Sequence, residues 1–341
     1  MIFDTHIIGQ EKTVEKLVQI LERKHLPNAI LLWGPSGIGK FRMVRNMAKL
    51  FFAEYPDELR EIEKNCSRNV ISIGDLWQSD RLTDWDIISK TSNFNQRHRQ
   101  GTEGESAKKT DSIGIQDIST FLEPLFLRNE YDRKIGIIRD AERMTNEAAN
   151  ALLKTLEEPP LGVIFLLTTS HLRKLPQTII SRCESIAVPL ASRNALREYA
   201  LSHGAPEQAR EEMITIAQGR GEHLLKLLKD PHFFEQEQEQ FQNIAHMLSE
   251  WKSGRRLQWA SHFSAPEHAE EAELFLKNFQ RFLRSLLLEK AYHKKEFPLS
   301  EYIPFSDIVR IYHLLQETEK GLLTNANKKL LFESFFLRLF P

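Results

Sequence analysis

Ala29-Ile30-Leu31-Leu32-Trp33-Gly34-Pro35-Ser36-Gly37-Ile38-Gly39-Lys40-Phe41 sets a short apolar run against a glycine-rich loop and a lysine, after which helical periodicity resumes through Phe52. The apolar run predicts a buried strand. Strand, glycine loop and helix in that order is the context that confirms a G-x-x-x-x-G-K phosphate loop. Its glycines let successive backbone N–H groups turn in on a phosphate, the helix N-terminus adds partial positive charge, and Lys40 can bridge terminal phosphates. Gly34, Pro35, Ser36, Gly37, Gly39 and Lys40 are therefore candidate nucleotide-binding residues. The competing reading is a tight strand-to-helix turn kept as a structural relic.

Two further positions argue against hydrolysis. Magnesium needs a serine or threonine hydroxyl directly after the lysine, and Phe41 offers carbon there. A second apolar run, Lys134 to Ile138, predicts another buried strand, but it leads into Arg139 where a metal-holding aspartate is expected, with Asp140 one residue later. Phosphoryl transfer depends on positioning and charge neutralisation, so two defects in one metal site make turnover by this chain improbable. The expected cofactor is ATP held without turnover, or no nucleotide at all.

Outward from the loop, Gln10 to Lys24 places Val14, Leu17, Val18 and Leu21 at helical spacing. Residues 92–112 are rich in glycine, serine and charge and read as a mobile loop, with a helix expected from Ile113 to Phe121. Thr145 can cap a helix whose apolar stripe is Ala149, Leu152, Leu153 and Leu156 and which Pro159-Pro160 stop. Val163 to Thr168 reads as a third buried strand, and Ser185 to Leu190 as a short apolar stretch. Strands alternating with helices predict a parallel, doubly wound sheet. Beyond Ser192 the pattern is helical, broken at Gly204, Gly219 to Gly221, Pro231, Gly254, Pro266 and Pro298. The expected class is α/β plus all-α, divided into residues 1–191, 192–249 and 250–341.

A chain of 341 residues exceeds one ordinary core. Its 41% hydrophobic and 27% charged residues suit a globular protein, and no run is long and apolar enough for a bilayer helix. The first residues lack the basic-then-apolar order of a secretory signal, so a cytoplasmic location is expected. A formal charge of −1 provides no global field for nucleic acid, which leaves DNA contact local or shared with partners. Cys66 and Cys183 are too few for a disulfide framework or a four-cysteine zinc site, so no metal is expected.

Four stretches carry a resemblance: HIIGQEKTVEKLVQIL (6–21), AANALLKTLEEPP (148–160), TTSHLRKLPQTIISRC (168–183) and LLTNANKKLLFESFFLRL (322–339). Together they resemble the delta-prime and gamma/tau subunits of the bacterial DNA polymerase III clamp loader, and Asn150 to Pro159 is the most specific string. The resemblance implies an AAA+ P-loop domain, a small helical lid and a C-terminal helical collar that joins five subunits in a ring. It implies gamma/tau and delta subunits as partners, with the sliding clamp and primer-template DNA reached through the complex. It also implies that Ser181-Arg182-Cys183 projects Arg182 into a neighbour's ATP site as an arginine finger in trans, and that Thr169, with Thr168 and Ser170, lies where the family keeps a nucleotide-sensing group.

Departures from the family pattern choose between its branches. Gamma/tau subunits hydrolyse ATP and keep the hydroxyl, the acidic pair and a nucleotide-sensing lid arginine. Phe41 and Arg139 stand at the first two, and Glu222 aligns with the third. All three favour delta-prime. The family's zinc module needs four cysteines, and Cys66 alone remains in that region. Two alternatives stay open: an active gamma/tau-like ATPase, and an interaction protein outside replication that keeps the scaffold. Leu330, Leu331, Phe335 and Phe336 read as either a partner-facing stripe or collar core.

Overall fold

A computed structural model of the chain describes residues 7–63, 67, 69–73, 112–127, 131, 133–249, 253–292, 303–322 and 327–339. The expected loop over 92–112, except Ser112, and Cys66 lie outside the described residues. Two compact units emerge, residues 1–199 with 219–225 and residues 200–218 with 226–341.

The first unit is built on a five-stranded parallel sheet ordered β2-β3-β4-β1-β5. Its strands are β1 (Ala29–Trp33), β2 (Val70–Ile73), β3 (Lys134–Ile138), β4 (Val163–Thr169) and β5 (Glu184–Ala187). The central strands are buried along their whole length in β3 and β4. That is the signature of a sheet covered on both faces, and it explains why they read as unbroken apolar runs. On one face Ala29, Leu31, Phe165 and Leu167 pack with α4 (Ile115–Leu122), α5 (Asn146–Glu157) and α6 (Gln177–Ile180). On the other, Ile30, Leu32, Ile135, Ile137 and Leu166 pack with α1 (Glu11–Leu21), α2 (Lys40–Phe51) and α3 (Pro56–Glu63). The alternation of neighbouring residues between these clusters is the period-2 geometry of a strand.

Thr145 caps α5 as its position predicts, its hydroxyl accepting the Ala148 N–H at 3.2 Å. Strand β2 and helix α3 are not among the elements read from the sequence. Four residues of β2, Val-Ile-Ser-Ile, are too few to display a period.

The remaining helices are α7 (Arg193–Ser202), α8 (Glu207–Ala217), α9 (Gly221–Lys229), α10 (Pro231–Ser249), α11 (Ser253–Ser264), α12 (Ala269–Tyr292), α13 (Phe305–Leu322) and α14 (Lys328–Arg338). Within the second unit an aromatic cluster joins α11, α12 and α14: Phe263 stacks on Phe275 at 4.5 Å and on Phe336 at 6.0 Å, and Phe335 meets Phe279 edge-on at 5.7 Å. Phe335 and Phe336 are thus core, whereas Leu330 is exposed. A buried polar network adds direction. Arg281 pairs with Glu237 at 2.8 Å, donates to the Ile216 carbonyl at 2.7 Å and lies over the Phe241 ring at 5.6 Å.

Candidate functional site

The sheet brings the ends of β1, β3 and β4 together, and the phosphate loop leaves from the first of them. At Gly34 (φ +156°) a side chain is excluded, because a Cβ would lie 2.2 Å from the Val188 carbonyl oxygen. Gly34 N–H donates to the Thr169 carbonyl at 3.2 Å, which ties the loop to the end of β4. Gly39 (φ +96°) is the left-handed residue before α2, and no side chain caps that helix. The first N–H groups of such a helix have no intrahelical partner and are donors available to an anion.

Lys40 is 6% exposed and donates to the carbonyls of Gly34 and Pro35, both at 2.8 Å, and to Ser170 Oγ at 3.0 Å. Burial lowers its pKa to about 8, against the attraction of Asp140 and Glu142. The ammonium is thus held at the mouth of the loop by its own chain, and a bound phosphate would compete with three oxygens.

The two departures noted in the sequence touch each other. The Arg139 guanidinium lies over the Phe41 ring, 4.8 Å from its centroid, and its Nε is 3.7 Å from Asp140 Oδ2. Burial lowers the Arg139 pKa while Asp140 and Glu222 oppose the shift. Asp140 adopts a left-handed conformation (φ +48°), its N–H donating to Thr168 Oγ1 at 3.1 Å. Burial raises its carboxyl pKa and Arg139 restrains the rise. The place that a magnesium site needs for a hydroxyl and a free carboxylate holds an aromatic face and a fixed cation. These residues fit a phosphate and do not fit its metal.

Of the neighbours, Thr169, Ser170 and Glu222 are singled out by the sequence, and Glu142 is not. Thr169 Oγ1 accepts the His171 N–H at 3.1 Å, while the next hydroxyl, Ser170, meets Lys40. Glu142 Oε1 accepts the Ser170 N–H at 2.9 Å, and its other oxygen is buried without a hydrogen-bond partner among the described residues. Glu222 lies beside the loop: its N–H donates to the Gly37 carbonyl at 3.0 Å and its carboxylate is 3.2 Å from Arg42 Nη2. No local pattern could reveal a pair 180 residues apart.

Arg182 belongs to a different corner. It follows α6, where Ser181 Oγ donates to the Thr178 carbonyl at 3.1 Å and Cys183 packs against the core, its thiol pKa pushed up to about 12 by burial. Arg182 Nη1 donates to the Thr178 carbonyl at 3.0 Å, and Nη2 pairs with Glu157 at the end of α5. Two of the resembling strings, LEEPP and SRC, are thus physically joined through Glu157 and Arg182. Neither of these partners belongs to the phosphate loop. An exposed pair of this kind is worth under about 1 kcal/mol.

A family model described as "DNA polymerase III, delta subunit" matches residues 9–191. A curated DNA polymerase III subunit delta' of Bacillus subtilis is 31% identical over 180 residues, covering 52% of this chain and 46% of that protein. DNA polymerase III subunit gamma/tau of Mycoplasma genitalium is 30% identical over 179 residues, covering 52% of this chain and 26% of its own length. The chain thus spans less than half the length of these curated relatives. A solved structure of a DNA polymerase III gamma subunit-related protein from Thermotoga maritima superposes with a TM-score of 0.46 at 20% identity, covering 96% of this chain and 98% of that one.

Proposed function

Because the chain belongs to the family described as DNA polymerase III, delta subunit, we propose that it is the delta-prime-type member of a sliding-clamp loader, a subunit that does not itself hydrolyse ATP. The single observation that carries this reading is the stack of Arg139 on Phe41 beside Asp140, which supplies a protein cation where the reaction needs a magnesium ion. A dication beside that guanidinium would meet repulsion, and no hydroxyl ligand at position 41.

The subunit's contribution to chemistry is then Arg182, presented to the ATP of a neighbouring gamma/tau subunit. A planar, permanently charged guanidinium stabilises the charge that develops on the transferring phosphoryl group. Its present partners, Glu157 and one carbonyl, form the weak kind of hold that a triphosphate outcompetes. On this reading the lid and collar divisions near 191 and 249 serve ring assembly, the sliding clamp and primer-template DNA are reached through the complex, and the work is cytoplasmic.

The test is reconstitution with gamma/tau and delta subunits. Arg182→Ala is expected to assemble normally and to cut DNA-stimulated ATP hydrolysis and clamp loading. Unchanged hydrolysis by the assembled variant complex overturns the role of Arg182, and failure of the wild-type chain to assemble overturns the clamp-loader reading itself.

A further inference from the structure

Helix α11 ends at Ser264, and the chain turns back through a short 3-10 helix, Pro266–His268, into α12. The turn is closed by the Ala265 N–H on the His262 carbonyl at 3.2 Å and by the His268 N–H on the Ala265 carbonyl at 3.0 Å. It lays the His268 ring on that of His262, with centroids 3.9 Å apart and planes 30° from parallel. Both rings then present a nitrogen to one carboxylate oxygen: His262 Nε2 and His268 Nδ1 each lie 3.1 Å from Glu271 Oε2. All three donor atoms fall within 4.8 Å of one another. Nothing in the clamp-loader chemistry above uses these residues.

We propose that His262, His268 and Glu271 form a binding site for a divalent transition-metal ion of the zinc class. Two imidazoles and one carboxylate are an N,N,O donor set that suits zinc, nickel or copper and not the all-oxygen preference of magnesium or calcium. Two of the three donor spacings are also close to those of a ligated ion. Zinc bonds of about 2.0–2.1 Å at tetrahedral angles separate neighbouring donors by roughly 3.3–3.4 Å, so both histidine–glutamate edges need to open by only a few tenths of an ångström.

The site is preformed by packing that owes nothing to a metal. His262 meets Phe263 edge-on at 5.2 Å, and Phe263 is buried against Phe275 of α12, so the aromatic cluster already fixes α11 and α12 beside each other. The three side chains are 43%, 36% and 55% exposed, which leaves a fourth coordination position open to water or to a donor from a partner subunit. A bound ion links the end of α11, the connecting turn and the first turn of α12, and so staples one corner of the helical unit.

The experiment uses the full chain, stripped with a chelator and titrated with Co2+ followed by Zn2+. The wild type is expected to take up one Co2+ with visible absorption of a four- or five-coordinate site and to exchange it for Zn2+. His262→Ala/His268→Ala should weaken binding by on the order of tenfold or more, and Glu271→Gln, which keeps both imidazoles, should weaken it less. All three positions are partly exposed, and circular dichroism verifies that the variants stay folded. X-ray absorption of the zinc form, read on the wild type alone, should show only nitrogen and oxygen donors. Equal uptake by wild type and double variant overturns the proposal, as does sulfur in the coordination shell.

Discussion

Arg139 and Arg182 are almost equally exposed, at 33% and 32% of their side chains, yet their surroundings give them opposite prospects. Arg139 stacks on Phe41, faces Asp140 and is desolvated by its neighbours, so moving it would break several contacts at once. Arg182 rests on one carbonyl and one half-exposed carboxylate. Exposure alone does not distinguish an arginine locked in place from an available one. What distinguishes them is how many partners must be given up, and whether any of those partners is an aromatic face that a substrate phosphate cannot replace.

The largest effect expected from this contrast is at Arg182. In the reconstituted complex Arg182→Ala should slow turnover at the neighbouring site by a factor of roughly 10³ or more, leaving total hydrolysis at the level of the remaining sites; single-turnover assays read this directly. Arg281 sets the scale for an arginine that is fully locked in. Its pair with Glu237 is nearly buried, so Arg281→Ala should destabilise the helical unit by about 3–5 kcal/mol, measured by urea unfolding, because Glu237 is left uncompensated.

Lys40 offers a smaller effect with a definite sign. Its folded pKa of about 8 lies below the ordinary 10.5, so between those values the unfolded chain binds more protons than the folded one. Stability of the wild type relative to Lys40→Met should therefore rise with pH across that window, by about 3 kcal/mol in all. Parallel unfolding curves near the two ends of the window check it. The smallest effect is expected at Glu157: Glu157→Gln removes only an exposed ion pair and should cost less than about 1 kcal/mol of stability. A loss comparable to that of Arg281→Ala would mean that Arg182 is held no less firmly than Arg139.

The legibility of these features in the sequence follows their physics. Strands β1, β3 and β4 announce themselves because a sheet covered on both faces demands continuous apolar runs, and the loop announces itself because only glycine passes Val188. The two departures at positions 41 and 139 were readable one at a time. Their contact was not, because the residues are 98 positions apart and meet only once β1 and β3 are set in their sheet, with β4 between them. The same holds for Glu157 with Arg182 and for Glu222 with Arg42, whose partners lie on different elements. The His262, His268 and Glu271 cluster was silent for another reason, since three residues spread over ten positions match no metal-ligand spacing until the turn after α11 folds them together.

The central claim is that this chain serves ATP hydrolysis from outside its own phosphate loop. It is tested most directly by measuring magnesium-dependent ATP hydrolysis by the purified chain alone and by the reconstituted complex, each with Lys40→Ala and Arg182→Ala. No hydrolysis by the chain alone above that of its Lys40→Ala variant is expected, and the loss in the complex should follow Arg182→Ala but not Lys40→Ala. Lys40-dependent hydrolysis by the chain alone would contradict it.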